Sequence, residues 1–253
     1  MRLAAVAAIC VWIAGCATFQ ARLYWRVREL ALASPPVIEL QTPEGKIVLT
    51  MNAQTVNKLL LAHFRITRSA GVQAELVIAE GEHPNAFVSL TMGRRVVAIN
   101  TAMIMLIGDD IDEFATLLGH ETAHWAKGHV DAGRLRSKTI EGMGALLGSG
   151  LAMVGVPAAG LITGIGGDLI EASFSRDEER EADALSVDYI MANGFDPHAA
   201  LRLQEKMQEL PGGPSVPFLS SHPSGAERID NLKKLIEAKM TQSQATPERP
   251  EDR

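Results

Sequence analysis

The 253-residue sequence predicts a mostly helical α+β protein, and three observations lead there. Strand-like runs are confined to residues 46–99, whereas the runs after residue 110 carry helical spacing and helix caps. Aromatic residues are scarce at 5%, while Ala, Gly, Leu and Met are plentiful, which suits helices packed through small side chains. The 47% hydrophobic content can bury one sizeable core, and the length favours a single domain with attached ends over two full domains.

The first residues read as a targeting segment. Arg2 supplies a short positive region, and Leu3 to Ile13 form an apolar run of signal-peptide length, too short for a comfortable membrane span. Ile13-Ala14-Gly15-Cys16 resembles the bacterial lipobox, in which cleavage precedes the cysteine and the new N-terminus is lipidated. Residues 1–15 are therefore expected to be a signal peptide and Cys16 the site of a lipid anchor to the membrane. Cys10 is the one other cysteine and would leave with the signal, so the mature chain would keep no disulfide partner. Ala17, in the position after the cysteine, resembles the pattern that favours outer-membrane sorting in enterobacteria.

Residues 16–36 are expected to be a lipid-anchored helix and linker. Ala21 to Ala33 suits a helix with Arg22, Arg26 and Arg28 beside Leu23, Trp25, Val27 and Leu30, placed on lipid headgroups or on the domain. Ser34-Pro35-Pro36 ends it.

The main domain is expected over 37–240. Lys46 to Thr50 and Val72 to Ala79 read as strands, with an amphipathic helix over Asn52 to Phe64 between them. Phe87 to Leu90 and Arg95 to Ile99 suit a hairpin turned at Met92-Gly93. Asp110 reads as an N-cap, with Glu113 completing a capping box, and the helix it opens runs towards Gly128. Between Glu141 and Asp168 lie 26 uncharged residues, nine of them glycine, with Gly155-Val156-Pro157 near the middle. Length alone would allow a membrane span there, but a span would put the two halves of the site described below on opposite sides of a bilayer. A helical hairpin near the site is the expectation. Further helices are expected from Arg176 to Ala192, closed by Asn193-Gly194, from Pro197 to Leu210, and from Ala226 to Met240. The polar tail over 241–253 is expected to be disordered.

The formal net charge of −6 argues against a nucleic-acid partner, which ordinarily leaves a basic footprint. The chemistry concentrates in His120-Glu121-Thr122-Ala123-His124. Residues four apart on a helix lie about 40° apart around its axis, so His120 and His124 project from one face. Two imidazoles at that spacing can hold one Zn²⁺, with Glu121 beside them as a general base.

A catalytic zinc needs a third protein ligand. His129, five residues beyond His124, would point away from that face on a continuous helix. Glu179 is the better candidate, with Asp183 four residues on to accept the other ring N–H of a ligating histidine. Charge runs on helices are ordinarily solvated faces, but the H-E-x-x-H pattern 55 residues upstream gives this one another use. Glu178 and Glu181 remain alternative ligands if the helical phase differs.

Four segments together resemble the zinc metallopeptidase family that contains HtpX and the CAAX prenyl proteases, nearest its small periplasmic lipoprotein members of the LoiP type. They are Pro84-Asn85-Ala86-Phe87, Leu118 to His124 with His129, Phe174 to Asp183, and Ser221-His222-Pro223 with Glu227-Arg228. The chain departs from the family at Gly128, where many members carry Arg.

The resemblance implies His120, His124 and Glu179 as ligands of one zinc ion, Glu121 as general base and Asp183 as the carboxylate behind a ligand. It also implies a minigluzincin-like core, with two active-site helices beside a small sheet. The stretch with Asn85, Ala86 and Phe87 resembles the family's edge strand, which binds an extended substrate by strand addition. His222 would stabilise the oxyanion or occupy the fourth zinc position and keep the enzyme latent. His63, His83 and His198 are expected to be solvent-exposed or structural. The function implied is an endopeptidase of unfolded, misassembled or membrane-associated envelope proteins. The rival reading is a latent chaperone or assembly factor for outer-membrane proteins.

Overall fold

The computed structural model of the chain describes residues 24–33, 35–91, 93–133, 174–211, 217–222 and 226–245. The expected signal peptide, the lipidated Cys16 and the glycine-rich 142–167 segment lie outside the described residues.

Among the described residues six strands and eight helices follow one another in the order β1 (Tyr24–Arg26), α1 (Val27–Ala33), β2 (Val37–Gln41), β3 (Ile47–Asn52), α2 (Ala53–Ala70), β4 (Glu75–Ala79), β5 (Ala86–Thr91), β6 (Arg94–Asn100), α3 (Thr101–Ile107), α4 (Ile111–Ala126), α5 (Arg176–Ala192), α6 (Ala199–Gln208), α7 (Pro217–Ser221) and α8 (Ala226–Ala245). One more helical turn covers residues 129–133. The result is α+β and mostly helical, as the sequence predicts. Among the described residues no helix is long and apolar enough to cross a membrane.

The larger sheet has the order β1-β4-β6-β5. β4 and β6 are its inner strands and pair in parallel, Glu75 opposite Val96 through Ala79 opposite Asn100. Both read as near-continuous apolar runs, as strands covered on both faces do. β5 returns antiparallel on β6 as the expected hairpin and forms one edge. β2 and β3 make a separate two-stranded ribbon.

Several elements differ from the sequence reading. The expected helix from Ala21 holds a strand, β1, before α1 begins at Val27. β1 pairs with β4 and buries Trp25, so this stretch belongs to the domain and is not only a linker to it. β2 and α3 went unread, because five to seven residues show too little periodicity to separate them from loop. The last helix continues to Ala245, five residues into the expected tail.

The Asp110 cap forms in part. Its Oδ1 accepts from the N–H groups of Asp112 and Glu113 at 2.9 and 3.1 Å. Glu113, however, does not return to the cap. It turns into the core, where Lys206 Nζ of α6 donates to it at 2.8 Å. The reciprocal box occurs instead at Ser175 and Glu178, which start α5.

α4 is the central helix, packed against α2, α5, α6 and the β5–β6 hairpin. Phe114, Leu117, Leu118 and Trp125 are all buried, and Trp125 Nε1 donates to Val96 O at 3.1 Å, tying its end to the sheet. The contact with α5 is closest at Gly119, where a β-carbon would stand 2.6 Å from Ser186 Oγ and 3.5 Å from Ser186 Cα. That hydroxyl donates to Thr116 O at 3.0 Å. Gly119→Ala is therefore expected to lower stability by about 1–3 kcal/mol through overpacking, despite alanine's higher helix propensity. Urea unfolding of the chain measures this, and Ser186→Gly in the same chain should recover part of the loss.

Candidate metal centre

α4 carries His120, Glu121 and His124 at its buried end. α5 presents Glu179 and Asp183 on the facing side, and His222 enters from the turn after α7. His120, His124, Glu179 and His222 are all buried, and one ligand atom of each lies within 4.8 Å of the other three.

The separations match a shared cation. His120 Nε2 stands 3.2 Å from His124 Nε2, 3.1 Å from His222 Nδ1 and 3.4 Å from Glu179 Oε2. Glu179 Oε1 is 3.4 Å from His124 Nε2 and 2.9 Å from His222 Nδ1. Donors about 2.0–2.1 Å from one tetrahedral centre are spaced at roughly 3.3 Å, and imidazoles with one carboxylate are a donor set that zinc takes. Glu121 is fully buried beside them, and among the described residues neither of its oxygens has a hydrogen-bond partner. Its Oε1 faces His222 Nε2 at 3.4 Å. A buried carboxylate without donors is costly unless something charged or polar meets it, so this feature also fits a metal centre.

The outer contacts hold the rings in orientation. Asp183 Oδ1 is 3.0 Å from His120 Nδ1, where the sequence placed a carboxylate behind a ligand. Phe174 stacks on His124 with centroids 3.6 Å apart, and Phe218 stacks on His222 at 4.7 Å. Arg228 of α8 is buried and donates to both oxygens of Asp183 at 2.8 and 2.7 Å, while its Nη1 lies 2.7 Å from Glu179 Oε2. Sequence reasoning missed the part played by Arg228 and the two phenylalanines. Arg228 follows His222 by six residues, but a lone arginine on a charged helix carries no sign that it faces inward.

Helix phase turns Glu178 and Glu181, the alternative candidates, to other partners. Glu178 caps its own helix through Ser175 N at 2.8 Å. Glu181 meets Lys127 and His129. His129 itself is buried against His124, contrary to the expectation that it faces away. α4 ends at Ala126, and Gly128 in the left-handed region (φ 71°) turns the chain back, so the continuous-helix argument does not reach His129.

The other histidines divide as expected between structural and exposed. His63 is buried with Nε2 3.0 Å from Ala74 O, and His83 and His198 are exposed. Asn85 is buried just before the edge strand that carries Ala86 and Phe87, and its N–H donates to Asn100 Oδ1 at 3.0 Å.

Burial opposes charge throughout the cluster, and neighbouring groups decide the outcome. His120 is disfavoured as a cation by burial, yet the Glu179 charge and hydrogen bonds to Asp183 and Glu179 raise it to about 9. Burial drives His124 well below its ordinary value. Burial raises the Glu121 carboxyl. Against the same burial, the His222 and His120 rings hold Glu179 far below the usual carboxylate range, and Arg228 keeps Asp183 below its own.

A model of peptidase family M48 matches residues 53–236. Metalloprotease LoiP of Escherichia coli (strain K12) is 28% identical over 163 residues, covering 61% of this chain and 59% of LoiP. Mitochondrial metalloendopeptidase OMA1 of Arabidopsis thaliana is 30% identical over 167 residues, 66% of this chain and 32% of that one. The beta-barrel assembly-enhancing protease of Yersinia pestis is 27% identical over 198 residues, 74% and 38% respectively. The chain thus spans less than two thirds of the length of each of these relatives.

Two outcomes follow from the charges. Without metal, His120 keeps a proton up to about pH 9, and an entering cation must displace it. Divalent-metal affinity should therefore rise by up to about tenfold per pH unit and level off above that pH, as chelator-buffered zinc titrations from pH 6.5 to 9.5 would register. Arg228→Ala strands two buried carboxylates and should cost about 3–5 kcal/mol in the metal-free chain, read by urea unfolding in the presence of a chelator.

Proposed function

The chain belongs to peptidase family M48, in agreement with the resemblance its motifs carry, and on that premise we propose that it is a zinc-dependent endopeptidase of the bacterial cell envelope. Its substrates are unfolded or misassembled envelope proteins, and its role is protein quality control. One observation carries the reading: Glu121, buried and without hydrogen-bond partners among the described residues, stands beside four converging donors drawn from three separate parts of the chain.

His120, His124 and Glu179 would hold the zinc ion, one per chain. Bound there, zinc supplies a Lewis acid that lowers the pKa of water and polarises a carbonyl. Glu121 takes the proton of the water that attacks the peptide carbonyl and delivers it to the departing amide nitrogen. Its elevated proton affinity suits a group that must both accept and return a proton near neutral pH. Asp183 accepts the Nδ1–H of His120 and keeps Nε2 directed at the metal. An extended substrate adds to the sheet edge at β5, along the stretch with Asn85, Ala86 and Phe87, where Asn85 itself is tied to Asn100 through both its backbone groups. A lipid on Cys16 would hold the chain at the periplasmic face of a membrane, the outer one by the residue that follows. The name of the beta-barrel assembly-enhancing relative supports proteins that assemble as β-barrels as a substrate class.

A second reading, a latent zinc-site chaperone or assembly factor, is favoured by His222. Its Nδ1 lies 2.9 Å from Glu179 and its Nε2 3.4 Å from Glu121, so the ring stands where water and substrate would have to enter.

The test is casein digestion by the zinc-loaded chain. Wild type should cleave, a chelator should abolish cleavage, and Glu121→Ala should lower the rate by about 10²–10⁴-fold while still binding zinc. A wild type that binds zinc without cleaving, and is released by His222→Ala, would select the latent reading instead.

A further inference from the structure

His129 is outside the four converging donors, yet it touches one of them. Its Nδ1 lies 3.0 Å from His124 Nδ1, and its Nε2 lies 3.1 Å from Glu181 Oε2. The other oxygen of Glu181 takes Lys127 Nζ at 2.5 Å. A line of polar contacts therefore runs from a buried histidine of the metal centre to a carboxylate that is 46% exposed.

A cation held through His124 Nε2 would fix the proton directions along that line. His124 turns Nε2 towards the cluster, 3.2 Å from His120 Nε2. A ring that holds a cation through Nε2 keeps its proton on Nδ1. Among the described residues that N–H is directed at His129 Nδ1, which must accept it. His129 then carries its own proton on Nε2, and this nitrogen faces a carboxylate. Every donor meets an acceptor, with no proton left over.

His120 shows the same arrangement in shorter form, its Nδ1 meeting Asp183 directly. Each histidine of the H-E-x-x-H pair thus ends on a carboxylate of α5, one at first hand and one through an imidazole. Glu179, Glu181 and Asp183 sit within five residues of that helix. The left-handed turn at Gly128 makes the longer line possible by bringing His129 back over His124.

We propose that His129 and Glu181 form a relay that fixes the tautomer and ring orientation of His124 and so strengthens binding of the divalent cation. Both are positioning residues, acting through His124 without touching the metal. The relay rests on the metal-centre reading above.

The test is zinc affinity of the purified full chain by competition with a chromophoric chelator. His129→Leu should weaken zinc binding about 10–100-fold. His129→Gln, whose amide can accept from His124 and donate to Glu181, should restore most of it. Glu181→Ala, changed at the exposed end where folding is not at risk, should lose several-fold. In the zinc-loaded wild type the His124 Nδ1–H should give a slowly exchanging NMR resonance that His129→Leu abolishes.

Unchanged affinity in His129→Leu and Glu181→Ala, or His129→Gln as weak as His129→Leu, would overturn the relay. Failure of the metal-centre reading looks different: wild type would not bind zinc, or would bind it no more tightly than His120→Ala.

Discussion

Where Gly119 faces Ser186, α4 and α5 approach so closely that a β-carbon on Gly119 would collide with the Ser186 hydroxyl, and this contact lies beside the residues that build the metal centre. His120 follows Gly119 directly, and Asp183 lies three residues before Ser186. Both helices are anchored independently of the site. α4 is held by Trp125 to the sheet and by Glu113 to Lys206, and α5 by its capping box. Packing forces, which act between apolar and small residues, thus place the polar groups that would not converge unaided.

Those groups carry an electrostatic burden. Glu121, Glu179 and Asp183 are buried within a few residues of one another in space, and three carboxylates cannot share a dry core without compensation. Arg228 answers two of them, with a paired contact to Asp183 and a single one to Glu179. The His120 proton and a divalent cation are alternative ways to supply the remaining positive charge. Burial raises the proton affinity of all three, and Glu121, which Arg228 does not contact, is the one at which that rise is not overcome. The same low-dielectric surroundings thus divide the acids into two held as anions and one with raised proton affinity.

Periodicity made most of the fold legible. The apolar runs of β4 and β6, the hairpin, the Asp110 N-cap of α4 and the Asn193-Gly194 close of α5 all appear in the sequence because their rules span only a few residues. Rules of that reach fail where tertiary contacts compete. Glu113 has the position of a capping-box residue, but a half-buried lysine partner holds it in place of a backbone N–H at the helix start. Trp25 sits in a stretch with helical character, yet the open side of β4 takes it as a strand.

The sequence by itself determined the chemistry: two histidines four apart around a glutamate, and a carboxylate pair at the same spacing on a later helix. Helical geometry needs no partner to put each pair on one face. Only the tertiary structure decided which acid of α5 faces the histidines, because a helix phase becomes absolute only when a neighbour buries one side. It likewise decided that Arg228 and His222 turn inward and that His129 folds back over His124. Those choices depend on contacts 43 to 108 residues apart in the chain, and on one left-handed glycine that ends a helix. No local pattern encodes them, since each is selected by what stands opposite after the core has closed.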